Sequence, residues 1–304
     1  MTQIPYPSTI AVTGATGAQG GATARALLQD GHQVLALTRR PDSPAAIALR
    51  RLGAQVRYAD FTDSSSLDTA LAGATALFAV TTPFGTDVEQ EVRDGLELLD
   101  AAARARLRHV VLTSAANADR DTGIPHFDSK HRIERHLATL GVPWTVIAPA
   151  AFMDQYAEEW TLRGLREGVY DRPMPAEIPL ALIPTVDIGT FAALVLARPH
   201  EFAGRRIDIA SDRRSGHEIA TTLGAACGRD LRYVEYPTDR IEAYSPDLAA
   251  MFRYFTTVGL DVDVAGLRRD YPGVGWHTLP EWVDGRSWVL DDNPTPAGTP
   301  PHRT

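Results

Sequence analysis

From residue 9 to residue 149 the chain alternates short apolar runs with helical patterns, and no other feature constrains its fold as tightly. The runs at 9–13, 33–38, 55–60, 74–81, 109–114 and 144–148 are rich in Val, Ile, Leu and Ala. They carry few charges, as strands buried on both faces must. Between them, residues 22–29, 44–52, 66–71, 88–104 and 128–140 read as helices. Gly31, Gly53, Gly73 and Gly141 stand just beyond four of these, where a left-handed cap ends a helix. Such alternation predicts parallel crossover units, hence an α/β fold with a doubly wound parallel sheet.

The first strand–helix junction carries Gly14-Ala15-Thr16-Gly17-Ala18-Gln19-Gly20. A strand before and a helix after are the context that a dinucleotide-binding turn requires, so the sheet reads as Rossmann-type. Gly14 permits the tight turn, Gly17 lets the backbone approach a diphosphate, and Gly20 allows close helix–strand packing. Unpaired amides at the helix start then meet negative charge. The second strand ends in Thr38-Arg39-Arg40, where an NAD-preferring protein places an acid for the ribose 2′-hydroxyl. Two guanidiniums suit a 2′-phosphate instead, so NADP(H) is the expected cofactor. Asp60-Phe61 and Thr81-Thr82-Pro83 end the third and fourth strands, at the edge where such sheets bind ligands. Each is either a cofactor contact or a plain strand-end cap.

Past Pro149 the rhythm changes. Pro173, Pro175, Pro179 and Pro184 suit an irregular segment over the sheet's carboxyl edge. Two further helix–strand stretches follow, at 187–197 with 206–210 and at 218–227 with 231–236, and 247–257 reads as another helix. The expected organisation is a binding core at 1–150, a smaller substrate or partner lobe at 151–290, and a disordered proline-rich tail at 291–304.

Composition excludes several classes. A net charge of −8, with no basic block beyond pairs such as Arg205-Arg206, argues against nucleic-acid binding. No apolar run is long enough to cross a bilayer, and MTQIPYPST lacks the features of a signal peptide. A single cysteine, Cys227, forbids an intrachain disulfide and reads as a small buried hydrophobe in a helix. A cytoplasmic location is expected.

GATGAQGG, VTTPF, the block from His126 to Gln155 and MFRYF, in that order, resemble the NmrA-like family of atypical short-chain dehydrogenases/reductases. The resemblance implies cofactor contacts at Gly14 through Gln19, Arg39, Asp60-Phe61, Thr81 through Pro83, Lys130, and the loop Ala151-Phe152-Met153-Asp154. Arg93 and Asp42-Ser43 depart from the family in residue type. Typical short-chain dehydrogenases pair a Tyr with a Lys four residues later and a Ser or Thr at a strand end. Here Lys130 and Ser114 are in place, but His126 stands where the Tyr belongs, just before the expected helix. His126 is either an acid–base group or a capping histidine.

His131 and His136 share no helical face with His126, and His217-Glu218 lacks a second histidine, so no metal site is expected. Phe152, Met153, Tyr156 and Trp160, with Met251, Phe252, Tyr254 and Phe255, are candidates for an apolar wall or for plain core. The leading expectation is an NADPH-dependent reductase passing hydride to a small conjugated or quinone-like acceptor, because such acceptors need no strong positioned acid. The rival is a non-catalytic redox sensor that binds a regulatory partner protein, with a sugar-nucleotide epimerase third.

Overall fold

The structure, a computed structural model, describes residues 8–83 and 87–288. The expectation of a disordered tail at 291–304 falls outside them, as does Phe84 of the VTTPF segment. The first half runs β1 (Thr9–Val12), α1 (Ala18–Gln29), β2 (Gln33–Thr38), α2 (Pro44–Arg51), β3 (Gln55–Tyr58), α3 (Ser64–Leu71), β4 (Ala76–Ala79), α4 (Val88–Arg104), β5 (His109–Thr113), α5 (Pro125–Thr139) and β6 (Trp144–Pro149). All eleven elements were expected, with shifted ends. Helix α1 starts four residues early, directly after the Gly17 cap, because small residues let its first turn lie against the strand. A Cβ on Gly20 would stand 2.4 Å from the carbonyl oxygens of Gly14 and Thr13. Helix α5 also starts early, because Pro125 supplies the fixed φ that suits a first helical residue. His126 therefore lies inside the helix, which corrects the expectation that it precedes it.

The second half runs β7 (Ala151–Phe152), a 3-10 turn (Met153–Ala157), α6 (Glu159–Arg166), β8 (Val169–Arg172), β9 (Leu180–Ile183), α7 (Thr185–Ala197), α8 (Pro199–Phe202) and β10 (Arg205–Ile209). It continues with β11 (Asp212–Arg214), α9 (Gly216–Cys227), β12 (Arg232–Glu235), α10 (Asp239–Glu242), α11 (Pro246–Thr257), α12 (Val264–Asp270), a 3-10 turn (Pro272–Val274) and α13 (Leu279–Asp284). The proline-rich segment after Arg172, expected to be irregular, holds one strand, β9, with Pro179 and Pro184 flanking it.

Seven strands form one parallel sheet in the order β10-β6-β5-β4-β1-β2-β3. The order reverses between β1 and β4, and ligands bind at such switch points. The seventh strand, β10, comes from beyond residue 150 and pairs with β6. So the sheet recruits a segment that the sequence reading assigned to the lobe. Its crossover helix α7 is apolar on nearly every side and correspondingly buried. Gly189 brings it against α1 at Ala22 so closely that a Cβ there would meet Ala22's carbonyl carbon at 2.6 Å.

Apolar clusters cover both faces of the sheet, and a third, around Met153, Tyr156, Leu182 and Trp282, lies under the cap formed by later elements. The cap carries a three-stranded sheet, β11-β9-β7, and the parallel pair β12-β8. Cys227 ends α9 half-buried, and burial pushes its thiol pKa up against the opposing charge of Arg229. Among the described residues no helix is long and apolar enough to cross a membrane.

Candidate functional site

A cavity of about 760 Å³ opens along the carboxyl edge of the sheet and continues under the cap. At its sheet end, Thr13 clasps the switch point: its hydroxyl donates to the Val80 carbonyl at 3.1 Å and accepts from the Val80 amide at 2.8 Å. The next residue, Gly14, adopts φ +57°, and a Cβ there would strike Val80 at 2.6 Å. Gly17 donates back to the Gly14 carbonyl at 2.9 Å and caps α1. The amides of Ala18, Gln19 and Gly20 then have no carbonyl one turn earlier, as at every helix start. They carry the partial positive charge that holds a phosphate. Thr113 donates to Gln19 Oε1 at 2.8 Å and so ties this turn to β5.

Arg39 and Arg40 follow β2 and are exposed at the rim. Across from them Asp60 accepts from the Thr62 amide and hydroxyl at 2.9 and 2.8 Å. Those bonds, aided by the charge of Arg39, hold its carboxyl below the ordinary carboxylate range. A carboxylate facing two guanidiniums, beside a tight turn with free amides, fits a phosphorylated dinucleotide. Thr81, Thr82 and Pro83 pass along the cavity where β4 ends.

Helix α5 brings Lys130 and His126 onto one face, four residues apart, and both line the cavity. Lys130 Nζ donates to Glu91 Oε1 at 2.8 Å and to the Thr81 carbonyl at 3.2 Å. Glu91 is fully buried and also accepts from Thr81 Oγ1 at 3.0 Å and Ser129 Oγ at 2.5 Å. The ammonium is thus fixed beside the strand ends by a carboxylate that pairs with no other cation among the described residues. His126 donates its backbone N–H to Asp247 Oδ1 at 2.9 Å. Its Nδ1 lies 2.6 Å from Asp247 Oδ2, close but bent away from a linear hydrogen bond. Burial pushes the Asp247 carboxyl up, but its bonds and charge interaction with His126 outweigh this and leave it below its ordinary value. Ser114 lines the cavity with its hydroxyl buried and without a hydrogen-bond partner among the described residues.

Most expected site residues therefore converge: Gly14, Thr16, Gly17, Ala18, Gln19, Gly20, Arg39, Arg40, Asp60, Phe61, Thr81, Thr82, Pro83, Ser114, His126, Lys130, Ala151 and Phe152 all line the cavity. Three lie off the lining. Ala15 is buried beneath the turn, and Met153 is fully buried in the cap cluster. Asp154 turns away to accept from the Thr185 amide and hydroxyl at 2.8 and 2.9 Å. Of the candidates for an apolar wall, Phe152, Met251, Phe252 and Phe255 line the cavity, whereas Tyr156 is core and Trp160 is exposed outside it.

Glu91, Asp247 and Arg172 line or support the site without having been foreseen. Glu91 left a signal, a charged residue on the same helical stripe as buried Gly95, Leu98 and Leu99. Asp247 left none, because an acid two residues after the Ser245 cap reads as ordinary helix chemistry.

The NmrA-like family model matches residues 7–283. A (4-alkanoyl-5-oxo-2,5-dihydrofuran-3-yl)methyl phosphate reductase of Streptomyces griseus is 30% identical over 252 residues, covering 80% of this chain and 84% of that protein. The structure of Citrobacter sp. triphenylmethane reductase complexed with NADP(H) aligns with a TM-score of 0.78 at 20% identity, covering 91% of this chain and 99% of that one. That of NmrA, a negative transcriptional regulator, in complex with NADP aligns with a TM-score of 0.77 at 20% identity, covering 93% and 99%.

Proposed function

Because the chain belongs to the NmrA-like family of NAD(P)-binding, Rossmann-type oxidoreductases, we propose that it is an NADPH-dependent reductase of a small conjugated or quinone-like acceptor. The observation that carries this reading is the single cavity joining a phosphate-binding turn to an aromatic wall, with Lys130 held between them. The relative from Streptomyces griseus is named for reducing a conjugated lactone, an acceptor of this kind.

The amides of Ala18, Gln19 and Gly20 would grip the diphosphate of NADP(H), and Arg39 with Arg40 its 2′-phosphate. Lys130 would hold the nicotinamide ribose. When bound, the reduced dinucleotide supplies the hydride. The chain supplies the rest. Phe152, Phe252 and Phe255 exclude water and hold a flat acceptor, which removes competing solvent and strengthens local electrostatics. His126 stands where typical short-chain dehydrogenases carry a tyrosine, and Asp247 orients its ring. It is the group to deliver the accompanying proton at Nε2. Acceptors whose negative charge is delocalised after hydride arrives demand least of that donor.

Mixing the protein with NADPH and a panel of quinones, enones and unsaturated lactones tests the reading. Loss of the NADPH absorbance band, slowed on His126→Asn without loss of NADP⁺ binding by calorimetry, is the expected outcome. No consumption of NADPH by any acceptor would overturn it. The exchange of tyrosine for His126 favours one second reading, a non-catalytic sensor whose partner protein distinguishes NADP(H)-bound from empty forms. Hydrogen exchange that is identical with and without NADP⁺ across the cap would remove that alternative.

A further inference from the structure

The cavity holds three cationic side chains beyond its rim, and two are neutralised by the chain itself. Lys130 is paired with Glu91, and Arg214 with Asp212 at 2.8 Å and Glu218 at 3.3 Å. Arg172, at the end of β8, is different. It is only 6% exposed, yet among the described residues no carboxylate lies within ion-pair distance of it. Its guanidinium is stacked between the rings of Tyr170 and Trp160, with centroids 4.4 and 4.5 Å away. Nη1 donates to the Asp171 carbonyl at 2.7 Å, and Nη2 is buried with no hydrogen-bond partner among the described residues.

Stacking orients a guanidinium and leaves its in-plane donors free. It does not cancel the charge. Burial pushes the phenols of nearby Tyr233 and Tyr236 up, so they stay neutral and offer no counter-charge. The Tyr233 hydroxyl is already committed, donating to the Met174 carbonyl at 2.6 Å. A buried cation without a partner is costly to the fold. Arg206, also largely buried, shows how this chain meets that cost elsewhere, with Glu134, Asp119 and Asp208 around it.

We propose that Arg172 anchors an oxyanion, a phosphate or carboxylate carried by the acceptor, at the cap-side wall of the cavity. Arg172 lines the cavity, a planar guanidinium carries donors that match either group, and Tyr170 and Trp160 hold it in place. This assignment deepens the reductase reading and rests on it for the identity of the occupant, although anion binding as such does not require turnover.

The test uses the full chain with Arg172→Met and Arg172→Lys, and with phenyl phosphate, benzoate and inorganic phosphate as probes in thermal unfolding. An uncompensated buried charge predicts that Arg172→Met melts higher than wild type without ligand and loses the rise that phenyl phosphate or benzoate gives the wild type. Arg172→Lys retains part of that rise. The larger wild-type response identifies phosphate or carboxylate as the group recognised. A lower melting point for Arg172→Met together with an unchanged anion response would mean a structural arginine and overturns the proposal, as does a wild type that answers no anion.

Turnover gives an independent arm, in which the preference for a carboxylated naphthoquinone over its methyl ester falls by about ten-fold in Arg172→Met. An unchanged preference counts against the subsite. Absence of any turnover sinks the reductase reading alone and leaves the anion question to the unfolding data.

Discussion

The two walls of the cavity are built differently. Along the sheet edge the recognition surface is backbone: a glycine turn, three helix-start amides and the ends of β1, β4 and β5. Under the cap it is side chains, with Phe152, Tyr170, Arg172, Tyr233, Met251 and Phe255 converging from four separate elements, β7, β8, β12 and α11. A backbone-built wall suits a constant ligand such as a dinucleotide's diphosphate, because amides cannot be exchanged by substitution. A side-chain wall can be rewritten one residue at a time, so it suits the variable ligand.

The contrast can be broken or sharpened by experiment. The largest effect is expected at Lys130, which bridges the walls. Lys130→Ala leaves Glu91 buried without a cation and costs about 3–5 kcal/mol in chemical denaturation. The paired change Glu91→Gln/Lys130→Met removes both charges and recovers most of that loss without restoring activity. If Lys130→Ala melts like wild type, the ammonium is not the counter-charge of Glu91.

Next is an acid transition in the sheet. His109 is fully buried on β5, its Nε2 3.0 Å from Thr145 Oγ1. Desolvation, with a contribution from His200, lowers its pKa from 6.5 to about 4. The unfolded chain binds this proton more readily than the folded one between those values. The stabilisation is therefore complete above pH 6.5 and lost as pH falls toward 4, amounting to about 3 kcal/mol. Denaturation midpoints across that window should fall with pH in wild type and less in His109→Gln. Equal slopes would refute the assignment.

Gly20→Val tests the backbone wall directly. Its side chain would meet two carbonyl oxygens at 2.4 Å, so α1 must shift, at a stability cost of about 1–3 kcal/mol and with loss of NADP⁺ binding by calorimetry. Retained binding would show that the helix start is not the phosphate site. The smallest effect separates the walls from their scaffold. Asp154→Ala removes the acceptor at the first amide of α7 and should cost about 1 kcal/mol while leaving the NADP⁺ affinity unchanged. A weakened affinity would return Asp154 to the cofactor loop that the family resemblance suggested.

The fold was legible in the first half because each signal there is local. Apolar runs, helix stripes and glycine caps within thirty or so residues specify one crossover unit after another. The seventh strand was legible at 206–210 but its place in the sheet was not, because nothing near Arg205 says that it will pair with Trp144–Pro149; only the packing of α7 on α1, through Gly189 and Ala22, brings it there. His126 was placed wrongly with respect to its helix because Pro125 reads equally as a boundary and as a first residue. Met153 and Asp154 follow the same strand end as Phe152, yet the 3-10 turn there sends them into core and scaffold.

The amino-acid order alone determined the crossover sheet, the glycine turn and the pair of arginines beyond β2, since all three are set by contacts between neighbours in sequence. Tertiary structure alone decided which acid steadies Lys130, which acid orients His126 and which arginine has none among the described residues. The first two partners stand 39 and 121 residues away in the chain. Electrostatic compensation in a buried site depends on distance in space, which no local pattern encodes.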